Sequence, residues 1–210
     1  LEDETALRAQ VCEEFWRRCG QNPDFSDILD AVFGSPERMA GQMAELLSAA
    51  VLKPDRQVPE KPDFATAFSG LKTAYRRDGV GALHMLLAAC RDGTLNGVTH
   101  KAKTIESGFA DLARFIADDG QGEIPDTGKF SSDSLKTNKG RPAPEHPFLD
   151  ALTAWNRFRG QLQAYRSDCR IFLYHDLRDY ARIRLPELKN QSGVIGFDDI
   201  IDAVCLALTG

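Results

Sequence analysis

Two hundred and ten residues, 42% hydrophobic and 27% charged, have the balance of an ordinary globular chain with enough apolar side chains for a sizeable core. Twenty-six Lys and Arg against 31 Asp and Glu give a net charge of −5, which excludes a uniformly basic, histone-like protein and leaves room for a local basic patch. No apolar run approaches the roughly 18 residues that a bilayer crossing needs, so no membrane partner is expected. The opening LEDETALRAQ has neither the basic nor the apolar region of a signal peptide, and without an initiator Met the chain reads as a piece of a longer one.

Five cysteines (Cys12, Cys19, Cys90, Cys169, Cys205) are an odd number without CxxC or Cys/His metal-ligand spacing. They read as buried free thiols in a reducing cytoplasm, which makes a cytoplasmic location the expectation.

Taken in order, the apolar period is helical nearly everywhere. Leu7, Val11, Phe15 and Cys19 recur every four residues over 3–19, and acids at the start suit a helix N-terminus. A short helix over 24–33 follows Asn22-Pro23. Ser35-Pro36-Glu37 opens another, with Ser35 as N-cap and Pro36 at the first helical position. Three prolines make 53–62 an extended connector. Helical spacing returns over 63–77, Gly79 and Gly81 interrupt it, and the run GALHMLLAAC predicts a buried helix over 81–91. The segment 92–100, DGTLNGVTH, reads as a loop, and 101–118 as an amphipathic helix. From 119 to 147 the composition shifts to Gly, Pro, Lys and polar residues. A loop of that length is uncommon without a function, and a helical turn could form around 131–135. Residues 148–185 form the longest periodic stretch, with a break expected near Gly160. A last amphipathic helix is expected through Ile200, Ile201, Val204, Cys205 and Leu208. No segment has the alternation and β-branched richness of a strand, so the fold class is all-α, with about eight or nine helices.

Catalytic signals are weak. There is no GxxxxGK[ST] phosphate cradle, and Asp198-Asp199 reads as a helix cap rather than a cation site. His84, His100, His146 and His175 are isolated, and His84 sits in the apolar run as a core histidine. The chain alone does not read as an enzyme, and neither catalytic residue nor metal or other cofactor is expected in it.

Charge is unevenly spread. Residues 1–60 carry 12 acids and 6 bases. Residues 129–141 carry Lys129, Lys136, Lys139 and Arg141 against Asp133 alone. Residues 157–189 carry eight bases and four acids. On a helical wheel Arg159, Arg166, Arg170 and Arg184 fall within roughly 40° of one another. This predicts a basic ridge preceded by a loop of mobile lysines, a pattern suited to phosphates rather than bases.

Two stretches are more specific. EEFWRRC followed by FSDILDAVFGSPERMAGQMAELL, and EHPFLDAL followed by the basic helix and GFDDIIDAVCLAL, resemble the RecB helicase–nuclease family, the beta subunits of exodeoxyribonuclease V. The matching residues are Phe15 to Arg18, His146 to Leu152 and Gly196 to Ile201, and KFSSDSLKTNKGRPAPEHP is similar to the family's Lys-rich loop. The resemblance implies that residues 1–210 form a single inserted 1B-type domain of a superfamily 1 helicase. In such a parent, ATP and Mg2+ serve motor and nuclease regions elsewhere, in double-strand-break repair and recombination. The insertion itself is a non-catalytic arm on the backbone of double-stranded DNA ahead of the fork, and RecC-like and RecD-like subunits are the implied partners. Lys101, Lys103, Lys136, Lys139 and Arg141 are the first candidates for DNA contact; Arg166, Arg170, Arg178 and Arg182 come second. The alternatives are a protein-interaction module docking the motor core or a RecC-like subunit, and a free-standing helical enzyme. An insertion also implies neighbouring chain ends.

Overall fold

The computed structural model describes residues 2–23, 25–193, 201, 204, 205, 207 and 208. Among them are six helices and no strand: α1 (Glu2–Gly20), α2 (Ser26–Phe33), α3 (Pro36–Ser48), α4 (Phe64–Arg91), α5 (Ala102–Ala117) and α6 (Pro147–Ser192). The all-α reading holds, and six helices stand where eight or nine were expected. The physical reasons are local. Segments 63–77 and 81–91 join in α4 across a kink at Asp78, whose φ −164° and ψ 43° are not helical. α6 runs through Gly160, an exposed position where a glycine's helix penalty, about 1 kcal/mol, is easily carried by packing elsewhere. Residues 131–135 make turns, not a helix. The last expected helix, the GFDDII segment, Asp198-Asp199 and the two chain ends fall largely outside the described residues.

Side chains that accept an orphan amide set the helix starts. Ser35 Oγ accepts the Arg38 N–H at 3.3 Å, with Pro36 next in line as expected. Asp63 accepts the Thr66 N–H at 3.0 Å to open α4. Asp78 repeats the device inside α4, its Oδ1 accepting the Gly81 N–H at 3.1 Å, so the kink is a capped restart rather than a loop.

The chain forms two compact units, whereas the sequence reading treated it as one domain: residues up to Glu60 with Ala164 onward, and Lys61–Gln163. In the first unit α1, α2 and α3 pack with the C-terminal part of α6 around Val11, Cys12, Phe15, Met39, Met43, Leu173, Leu177 and Ala181. Cys12, Cys19 and Cys169 are buried, and burial pushes the Cys12 thiol up to about 12. The connector after α3 is tied down along α6: Arg178 donates to the Ala49 and Ala50 carbonyls, and Arg56 reaches Asp176 at 3.3 Å and Asp179 at 3.1 Å. His175 Nε2 lies 3.0 Å from the Pro54 carbonyl, next to a cis Lys53-Pro54 bond.

The second unit is built from α4, α5 and the start of α6 around Trp155, Phe148, Phe109, Phe115, Leu71 and Ile105. Rings of Phe158, Phe115, Phe64 and Phe68 stand 5.2 to 6.5 Å from that of Trp155. The long 119–146 segment is held by its own side chains. Thr127 donates to Asn156 Oδ1 at 2.8 Å, Ser132 and Thr153 share a 2.9 Å bond, and the Phe130 ring lies against α5 at Gly108. The lysines of this loop therefore ride on a fixed backbone instead of a mobile one. His84 was expected in the core and is exposed; Ala82, Leu86 and Ala89 occupy the buried face of that half of α4.

A Cβ at Gly108 would overlap the ring of Phe130, which is only 3% exposed and cannot swing clear. Gly108→Ala should destabilise the protein by about 1–3 kcal/mol in urea titration. Gly41→Ala, at an exposed α3 position with nothing near the added atom, should be neutral or stabilising by about 0.5–1 kcal/mol.

Candidate nucleic-acid interface

α4 ends at Arg91, and Asp92 turns the chain by accepting the Thr94 N–H on Oδ1 at 2.8 Å, with Gly93 at φ +73°. Leu95 then dives into the core at 1% exposure and pairs with Thr137 in an isolated antiparallel bridge. Backbone bonds on either side extend the bridge into a short ladder: Asn96 N–H to Lys136 O at 2.9 Å, and Asn138 N–H to Thr94 O at 3.0 Å. The Asn138 side-chain amide adds bonds to Gly93 O at 2.9 Å and Leu95 O at 3.3 Å, and Arg141 N–H closes a turn on Asn138 O at 3.0 Å.

His100 joins the two segments a second time. Its Nε2 accepts the Lys136 N–H at 2.9 Å, so the neutral ring carries its proton on Nδ1, a buried atom with no hydrogen-bond partner. The ring is 3% exposed; burial first, then the charges of Lys136 and Lys129, hold its pKa below the usual histidine value. α5 begins directly after it. Its N-cap, Lys101, makes no side-chain cap, and no acid lies in the first turn.

The ladder thus brings together two candidate groups that are far apart in sequence. Lys101 and Lys103 follow one strand of it, and Lys136, Lys139 and Arg141 lie on or beyond the other. All five are exposed, and none forms an ion pair with a described carboxylate. Arg141 stands near enough to Asp92 to help hold that carboxyl below its usual range, after the larger effect of the Thr94 hydroxyl and amide. Lys129 was counted in the charge run and not among the candidates; its effect on His100 places it beside the same group. The presence of three lysines in one short loop was the available signal.

The α6 candidates do not form the expected ridge. Arg159 is paired with Asp126 at 2.8 Å, and Arg184 holds Glu14 through two bonds of 2.8 and 3.2 Å and Glu187 at 3.0 Å. That clamp, with the Tyr180 hydroxyl donating at 3.0 Å, lowers the Glu14 carboxyl to about 2. Arg178 must be withdrawn as a phosphate contact: it is buried, and its guanidinium is spent on the Ala49 and Ala50 carbonyls. Arg166, Arg170 and Arg182 remain exposed, with Arg170 5.9 Å from the ring of Tyr174.

His146 is the other organised histidine. Nδ1 accepts the Phe148 N–H at 3.1 Å, capping α6, and Nε2 donates to Asp78 Oδ2 at 3.0 Å. With both nitrogens committed, the pair fastens the α4 kink to the start of α6 and leaves no lone pair for proton abstraction. Beside it Thr73, Ala74, Arg77 and Phe148 help line an open, mainly apolar cavity of about 520 Å³. No described helix is long and apolar enough to cross a membrane. No family model matches this chain, and no curated protein or solved structure does either.

The lowered pKa of His100 has a definite sign. Its proton is taken up by the unfolded chain first, so the stability it contributes is present above about pH 6.5 and is lost as pH falls below that value. The urea midpoint should drop from pH 7 to pH 5, and His100→Asn, weaker at pH 7, should show a smaller drop. Equal pH slopes in the two proteins would refute this role.

Proposed function

We propose that the chain is a non-catalytic accessory domain that holds the backbone of duplex DNA, comparable to the 1B arm of RecB-like helicase–nucleases. The observation that carries this reading is the ladder, which joins Lys101 and Lys103 to Lys136, Lys139 and Arg141, all five exposed and in no ion pair with a described carboxylate. Lysines presented this way act as hydrated point charges, suited to phosphates at no fixed register and unsuited to reading base edges. Their spacing on a rigid loop pair, rather than a mobile tail, lowers the entropy lost on binding. ATP turnover, Mg2+ binding and strand cleavage would belong to other regions of a parent assembly, with RecC-like and RecD-like subunits as its partners.

A second reading, a module that docks a motor core or RecC-like surface, is favoured by the apolar cavity beside the Asp78–His146 pair. The two separate in one titration. DNA binding should be weak, independent of sequence, and linear in log affinity against log salt, with a slope near −0.9 per phosphate neutralised. Lys136→Ala/Lys139→Ala should weaken binding and flatten the slope by up to about 1.8. Arg166→Ala/Arg170→Ala reports whether α6 takes part. No binding to a duplex of about 20 base pairs near 50 mM salt, where counterion release is strongest, would remove the DNA reading and leave the docking one.

A further inference from the structure

We propose that Val98 is an apolar wedge that enters the minor groove of duplex DNA beside the basic ladder, an inference that rests on the phosphate-binding reading above. Val98 is 88% exposed, the highest value among the large apolar side chains that stand out from the described surface. Isolated exposed valines are ordinary in folded proteins; this one differs in how it is held and in what surrounds it.

Asn96 builds the turn that presents it. The Asn96 N–H is bonded to Lys136 O in the ladder, and its carbonyl accepts the Thr99 and His100 N–H groups at 3.0 and 2.8 Å. Its side-chain Oδ1 accepts the Val98 N–H at 3.0 Å and the Thr99 N–H at 3.3 Å. Five bonds through one residue prevent the loop from folding the valine back against the protein. Gly97, exposed and with open space around it, keeps the tip narrow. Valine itself is stiff at χ1, so little freedom is lost when it is inserted.

The surroundings are cationic. Lys101 and Lys103 follow the turn in sequence, and Lys136 lies across the ladder from Asn96. An apolar tip between cations fits a ligand with paired rows of phosphate and an apolar interior, which is duplex DNA entered from a groove. Minor-groove proteins insert aliphatic side chains between base steps while cations hold the flanking backbones. A lipid surface fits less well, because one valine is far short of the apolar face that an interfacial helix buries.

The test uses the full chain and a 20-base-pair duplex carrying 2-aminopurine, heparin as a polyanion without stacked bases, and anionic lipid vesicles. With wild type, duplex binding should raise 2-aminopurine fluorescence as a step unstacks. Val98→Ser, at a position exposed enough to leave folding intact, should bind the duplex about fivefold to tenfold more weakly and lose the fluorescence rise. Its salt slope and heparin affinity should be unchanged, whereas Lys136→Ala/Lys139→Ala should flatten the slope. A Val98→Ser protein that binds the duplex within twofold of wild type overturns the wedge and leaves the phosphate reading in place. A wild type that binds no duplex overturns both. A Val98 effect larger on vesicles than on the duplex overturns the wedge in favour of a lipid surface.

Discussion

A short backbone ladder and one hydrogen bond to a buried, uncharged imidazole together hold the basic surface of this protein in place. The 92–100 and 135–141 segments are rich in Gly, Asn, Thr and Lys and carry few apolar side chains to pin them, Leu95 being the main exception. What keeps them together is the ladder around Leu95 and Thr137 and the Lys136 N–H on His100. The bond needs a lone pair on Nε2, and therefore a neutral ring. Burial first, and then the charges of Lys136 and Lys129, push the His100 pKa down and so preserve that lone pair. The positive field and the joint beneath it depend on the same residues.

The two units differ in how they use many of their cations. In the first, several arginines are consumed internally, while Arg166, Arg170 and Arg182 stay exposed. Arg18 reaches Asp176 at 2.6 Å and lies 4.6 Å from the Tyr180 ring centre; Arg56 spans two aspartates and lies over Phe172; Arg184 clamps Glu14; Arg178 serves two carbonyls. Arg18 and Arg56 take advantage of a planar fork that can bond and stack at once. In the second unit the loop lysines and Arg141 find few acids nearby and remain in solvent. Net charge over a stretch of sequence is thus a poor guide to field strength: the run 157–189 is more basic than 129–141, yet several of its charges are cancelled or buried.

The long 119–146 segment shows how a polar loop can be rigid without secondary structure. Its start is fixed by Lys72 on Asp119, its middle by Thr127 on Asn156 and by the Phe130 ring against Gly108, and its end by His146 on Asp78. The Asp78 carboxylate accepts both the Gly81 amide and the His146 ring N–H. The helix restart in α4 and the start of α6 are therefore one structural event, with Asp78 as their junction.

Much of the helical fold was legible in the residues themselves. The apolar period of 3.6, the Ser35-Pro36 start and the interruption near Gly79 all depend on neighbours within a turn or two, and local sterics and capping decide them. Several helix starts were legible too, but not the end of α6, which runs past the expected 185 to Ser192, nor whether adjacent segments fuse, because a capped kink and a short loop have nearly the same composition. The candidate site was legible as charge and not as geometry. Nothing in a one-residue bridge has a period, so the pairing of Leu95 with Thr137 leaves no pattern to read. Arg178 and Arg182 are one helical turn apart and chemically identical, yet one is buried on carbonyls and the other is exposed. His84, expected in the core, is exposed, while His100, in a segment read only as a loop, is buried, since burial of a polar ring depends on which distant backbone amide arrives to satisfy it. Near-neighbour forces write themselves into sequence; contacts between residues tens of positions apart are decided only when the chain closes around them.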